Sequence, residues 1–151
     1  MDWGTLIATG LGATIGVGST LLNESIRTRR EREDRREAAR HQLYSDYLAA
    51  LARVADELWI LGQAPNQSDI KARAHDVWRR GDAYPLRYHM TVTAPVDIAA
   101  ASDACFRGLR DFRDVIAAGM EGGSADFMQA QSKYDELLTA LRWAMRADLA
   151  G

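Results

Sequence analysis

The pattern of apolar and polar positions along this chain changes character twice. From Trp3 to Asn23 there are twenty-one consecutive residues without a charge. A helix of that length is about 31 Å long at about 1.5 Å of rise per residue, matching a hydrocarbon core of about 30 Å. From Glu24 to Arg40 the sequence ESIRTRREREDRREAAR is dominated by charge, and from Leu43 apolar residues return at three- and four-residue steps. The pattern predicts an all-α chain in three parts: an N-terminal transmembrane anchor over 1–23, a charged helical neck over 24–40, and an antiparallel three- to four-helix bundle over 41–151. No strand is required anywhere.

Within the anchor, Leu6, Ile7, Leu11, Ile15, Val17, Leu21 and Leu22 supply the apolar surface, and glycines separate them. Gly4, Ala8, Gly12, Gly16 and Thr20 recur every four residues, as do Gly10, Thr14 and Gly18. At about 100° per residue the two rows lie on opposed faces of a helix. Small residues let backbones approach and gain dispersion contacts that lipid tails do not match, so a neighbour fits on either side. A homo-oligomer larger than a dimer is the expectation. The plainer alternative is that membrane helices are richer in glycine than other helices. A glycine-rich phosphate loop does not fit: the spacing is wrong for a dinucleotide fingerprint, no strand precedes it, and no lysine follows.

Flanking charge sets the expected orientation. Only Asp2 and the amino terminus precede the span, whereas seven arginines lie between residues 27 and 40. That asymmetry places the N-terminus outside and the C-terminal domain in the cytoplasm, at an inner membrane. Arg27, Arg29 and Arg30 fall where anionic lipid head groups attract each basic residue by about 1 kcal/mol. No basic stretch precedes the span and no small-residue cleavage site follows it, so a removable signal peptide is not expected. In the neck, Glu31 with Arg35 and Glu33 with Arg36 have the spacing of helical ion pairs. Seven arginines against five acids in 24–40 argue against a nucleic-acid recognition helix, and twelve basic against fifteen acidic residues in 41–151 leave that domain mildly acidic. No nucleic-acid partner is expected; membrane lipids and further copies of the chain are, with a protein partner unidentified.

About 111 residues remain for the bundle, enough for one core. Leu43, Tyr44, Tyr47, Leu48, Leu51, Val54, Ala55, Leu58 and Trp59 mark a first core helix ending near Leu61, where Gly62, Pro65 and Asn66 supply a stop. Ser68 is placed to cap a second helix carrying Ile70, Ala74, Val77 and Trp78, which Gly81 and Pro85 should break. The course between Tyr84 and Val92 is left open. Thr93 is the expected cap of the next helix, with Pro95 in its first turn. Ile98, Cys105 and Phe112, with Leu109 and Ile116, repeat every seven residues as bundle helices do. Gly119, Gly122 and Gly123 close that helix, Ser124 caps the last, and Phe127, Tyr134, Leu138, Leu141 and Met145 form its inner face.

The order of a glycine-rich span, an Arg/Glu neck, an aromatic helix start at Tyr44 and Tyr47 and a helix opening at Ala94, Pro95 and Val96 resembles uncharacterised small membrane-anchored helical proteins of actinobacteria. The resemblance is one of layout and implies location and fold; it carries no activity, cofactor or functional residue.

No constellation for chemistry emerges. Metal sites in bundles recruit a Glu-x-x-His step, and none is present. Glu37 with His41 belongs to the solvated neck, and His75 beside Asp76 and His89 beside Tyr88 point apart on a helix. Ser19, Ser102 and Cys105 have no visible base. Asn66, Gln67 and Ser68 spell a glycosylation acceptor, an accident on the cytoplasmic side. Trp59, Trp78 and Trp143 are expected in the core, and exposure of a tryptophan cluster would point instead to binding. No catalytic, cofactor-binding or metal-binding residue is expected. The leading expectation is a single-pass membrane-anchored structural or interaction protein that self-associates through its anchor. The alternatives are a pore-forming or holin-like protein and an enzymatic or ligand-binding bundle.

Overall fold

No proline stands between Trp3 and Ala64, so every residue of that stretch has an amide to give a helix, and in the computed structural model the expected anchor, neck and first core helix are one continuous helix. The structure describes the backbone of residues 3–64 and 68–150 and the side chains of residues 31–64 and 68–150. Among the described residues there are five helices and no strand: α1 (Trp3–Gln63), α2 (Ile70–Arg80), α3 (Ala83–Thr93), α4 (Val96–Ala117) and α5 (Ala125–Ala150). The chain divides into two compact units, 1–39 and 40–151.

In the first unit every described side chain, from Glu31 to Ala39, is exposed, and Glu31 approaches Arg35 at 3.7 Å. Among the described residues no helix is long and apolar enough to cross a membrane. The expected anchor positions Gly4, Ala8, Gly10, Gly12, Thr14, Gly16, Gly18 and Thr20 and the head-group arginines Arg27, Arg29 and Arg30 lie outside the described side chains.

The second unit is a helical bundle. Tyr44, Tyr47, Leu51, Val54, Leu58 and Leu61 of α1 are buried against Ile98, Cys105, Leu109, Phe112 and Ile116 of α4 and Phe127, Tyr134, Leu138, Leu141 and Met145 of α5. Contacts fix the direction of each helix. Arg40 meets Asp148 and the Tyr134 hydroxyl reaches the Leu51 carbonyl, so α5 runs against α1. Lys133 meets Asp111, and the rings of Phe112 and Phe127 stand 5.2 Å apart, so α5 also runs against α4. Arg80 lies 3.9 Å from Glu57 and Arg53 3.6 Å from Asp82, which makes α2 and α3 together an interrupted helix antiparallel to α1.

The interruption has a local cause. Gly81 is extended at φ -74 and ψ 135, and a Cβ at that position would strike the Val54 side chain. Pro85, third in α3, is harmless because the amide it lacks belongs to the unbonded first turn. The undetermined stretch from Tyr84 to Val92 is therefore helix α3. It ends where Ala94, forced to ψ 155 by the following Pro95, cannot stay helical.

Two expected caps are corrected. Thr93 does not cap α4: it is the last residue of α3, and its hydroxyl donates back to the His89 carbonyl at 2.6 Å, while Pro95 takes the N-cap position. Ser68 does not cap α2, whose N-cap is Asp69 without a side-chain bond. Ser124 does cap α5, accepting from the Phe127 amide at 3.3 Å. The α4 end is a Schellman turn: Gly119 at φ 84 donates to the Ile116 carbonyl and Met120 to that of Val115. The core assignment of the tryptophans holds for none of them in full. Trp78 is half-buried, and Trp59 and Trp143 are 44% and 66% exposed.

Candidate functional site

The most developed surface chemistry stands where α2, α3 and α4 meet. On α3, Ala83 and Met90 are buried and Leu86 and Arg87 half-buried, which turns Tyr84, Tyr88 and Val92 outward at steps of four. The outward rings are not isolated. Tyr84 and Tyr88 meet edge to face at 5.2 Å with their hydroxyls 3.1 Å apart, and Tyr84 lies 6.1 Å from Phe106. Phe106 in turn packs at 4.9 Å on Trp78 of α2. Two guanidiniums sit over this row of rings: Arg87 at 4.9 Å from Phe106 and Arg113 at 4.5 Å from Trp78. A cation over a ring face is attracted by the ring quadrupole, by about 0.5–1 kcal/mol where water has access.

Carboxylates hold both arginines in place. Arg87 Nε donates to Asp103 at 2.7 Å, and that bond holds the guanidinium pKa above its ordinary value. Arg113 Nε donates to Asp114 at 2.9 Å. Tyr84 and Tyr88 remain 49% and 54% exposed, and the Tyr88 contact raises the Tyr84 pKa. The result is a fixed row of four rings and two cations with its tyrosine end open to water.

A second polar cluster closes the bundle where α1 enters it. Arg40 Nη1 reaches both oxygens of Asp148 at 3.2 and 3.1 Å, and the Tyr44 hydroxyl donates to the same carboxylate at 2.9 Å. Burial, then the Asp148 bond, raises the Tyr44 pKa. All the donors and the acceptor are engaged with one another, which suits a structural clasp between the start and the end of the bundle. Within the interior, the Tyr47 hydroxyl donates to the Ser102 carbonyl and that of Tyr134 to the Leu51 carbonyl, both at 3.3 Å. Burial pushes Tyr47 and the Cys105 thiol up to about 12 and raises Tyr134 as well. A thiol so buried stays protonated at neutral pH and is a poor nucleophile. Ser102 Oγ is buried without a hydrogen-bond partner among the described residues.

The histidines are not brought together. His41, His75 and His89 are exposed, and His89 borders a cleft of about 540 Å³ between α1 and α3, with Asp46, Arg53 and Asp82 on its walls. A further shallow groove of about 420 Å³ runs between α4 and α5 over Val115, Met120 and Ala130. Among the described residues, no three histidine, cysteine or acidic side chains stand together as metal ligands would. Comparison with known proteins finds no matching family model, curated protein or solved structure.

Reading by sequence named Trp78 but not the row it belongs to. Tyr84, Tyr88 and Val92 do fall at four-residue steps, a helical signal in the stretch left open. Phe106 and Arg113, which complete the row, come from a helix whose apolar heptads drew attention to its other face.

Proposed function

We propose that this chain is a single-pass membrane-anchored interaction protein that self-associates through its glycine-spaced anchor and presents the ring-and-guanidinium face of α2, α3 and α4 to a protein partner. The observation that carries the reading is the exposed tyrosine pair at the end of a prefixed aromatic row. Exposed tyrosine, tryptophan and arginine are the residues in which binding energy concentrates, and rings already held by neighbours lose little freedom on contact. The uncharged run from Trp3 to Asn23, its arginine flank and the layout resemblance support the tethered placement.

The test is recovery from native membranes. The full chain should resist carbonate extraction, crosslink into oligomers, and copurify a partner. Changing both Tyr84 and Tyr88 to Ala should abolish the copurification without changing membrane retention. Gly12→Leu with Gly16→Leu should collapse the oligomer ladder. A chain that washes off membranes, or a partner retained by the tyrosine variant, overturns the reading.

A further inference from the structure

The charges bordering the tyrosine end indicate what kind of partner it accepts. On α4, Arg110 lies four residues after Phe106, and Arg107 lies four residues after Asp103, the carboxylate that holds Arg87, so the spacing sets each guanidinium one helical turn beyond a member of the row or its support. Arg87 and Arg113 are each tied to a carboxylate, but Arg107 and Arg110 are exposed and, among the described residues, have no carboxylate partner. The face thus has two kinds of group left to satisfy: open faces of Tyr84 and Tyr88, which take apolar side chains, and two unneutralised guanidiniums, whose planar forks match a carboxylate in a two-point bond.

We infer that this face binds an acidic peptide segment with apolar or aromatic anchors, the carboxylates meeting Arg107 and Arg110 and the anchors covering Tyr84 and Tyr88. The inference rests on the interaction reading above and adds the chemistry of the partner. The surroundings exclude a polyphosphate as the better fit. Asp103, Asp111 and Asp114 stand along the same helix, and a backbone charged at every step would be forced past them, whereas a peptide sets its carboxylates singly. Because Asp103 and Asp114 already hold Arg87 and Arg113 on the rings, binding asks for no rearrangement of the row.

The experiment uses the full chain in detergent micelles and a short fluorescein-labelled peptide of glutamate and aspartate with phenylalanine and leucine anchors. Binding is followed by anisotropy and by Trp78 fluorescence against a Trp78→Phe control. The acidic peptide should bind with an affinity that falls as salt rises. Arg107→Glu with Arg110→Glu should weaken it about tenfold or more, Arg107→Gln with Arg110→Gln by less, and Tyr84→Ala with Tyr88→Ala by a similar factor. Each variant is melted first: the glutamine pair should keep the wild-type midpoint, while the glutamate pair, spaced four residues from Asp103, Asp111 and Asp114, and the alanine pair, which loses ring contacts, should melt lower yet stay folded at the assay temperature. Equal binding of a peptide with lysine in place of its acids, binding indifferent to the arginine changes, or stronger binding of oligouridine would each overturn the inference. The two readings fail separately: a partner that copurifies through Tyr84 and Tyr88 but is not displaced by the acidic peptide removes the acidic-segment inference and leaves the interaction reading standing.

Discussion

The α4–α5 hairpin and the α2–α3 pair solve the same packing problem in opposite ways. Helices α4 and α5 are long, joined by a capped turn, and bury an almost uninterrupted three-four pattern from Ile98 to Ile116 and from Tyr134 to Met145. Helices α2 and α3 have eleven residues each, and each buries only two side chains: Ala74 and Val77, then Ala83 and Met90. The long pair holds the core, while the short pair, bent at Gly81, leaves rings and guanidiniums at the surface. A short helix with a narrow buried stripe has most of its circumference free for other chemistry.

The sharpest way to break that comparison is to cut into each side. Leu109→Ala in α4 should cost about 3–5 kcal/mol in denaturant melts, since a fully buried leucine leaves a cavity among rigid neighbours. Val77→Ala in α2 should cost roughly 1–2 kcal/mol. Equal losses would mean the two halves carry the core alike.

Alkaline titration separates the halves without mutation. The buried phenols Tyr44, Tyr47 and Tyr134 and the Cys105 thiol all lie on α1, α4 and α5, and all are raised above their ordinary values. A raised pKa means the unfolded chain loses its proton first. Stability should therefore be intact below about pH 9 and fall as pH climbs toward about 12, by about 1.4 kcal/mol per pH unit for each ionising group. Cys105 begins the loss and the tyrosines join above about pH 10. Cys105→Ala should delay the onset, and Tyr84→Phe with Tyr88→Phe should move the curve far less, since those phenols face water and it is chiefly their mutual contact that raises Tyr84. Chemical melts and tyrosinate absorbance across pH 8–12 provide the check.

Two smaller effects sharpen the picture of the ends. Asp148→Ala should cost about 1–3 kcal/mol by stranding Arg40 and the Tyr44 hydroxyl, and Asp148→Asn should recover part of it. Gly119→Ala should cost about 1 kcal/mol from its positive φ alone, because no atom lies near the added methyl group. Loss of the fold in either variant would mean that the stability of the bundle rests on the turn or the clasp far more than these contacts indicate.

Much of the core was legible because helical burial repeats. Tyr44, Tyr47, Leu51, Val54 and Leu58 in α1, the sevenfold series in α4 and all five inner positions of α5 are where their spacing predicts. Trp59 continues the apolar spacing of α1 in sequence, yet it and Trp143 stand next to a buried stripe and not on it, because Leu58 and Leu61 in α1 and Leu141 and Met145 in α5 already fill the inward positions. Thr93 was assigned forward as a cap when its hydroxyl turned back to His89, since threonine bonds either neighbour equally well and only the chain's direction at Ala94 decides.

By itself the sequence determined the helical class, the buried stripes, the stop at Gly119 and the cap at Ser124, all of which depend on neighbours within a few residues. It also carries the uncharged run and arginine flank on which the membrane proposal rests. Tertiary structure alone decided that Trp78, Tyr84 and Phe106 form one row, that Arg107 and Arg110 have no carboxylate partner among the described residues, and that Arg40 closes on Asp148 across the bundle. Those groups are far apart in the chain, and no local preference encodes which helix faces will meet; packing of the whole core sets their distances.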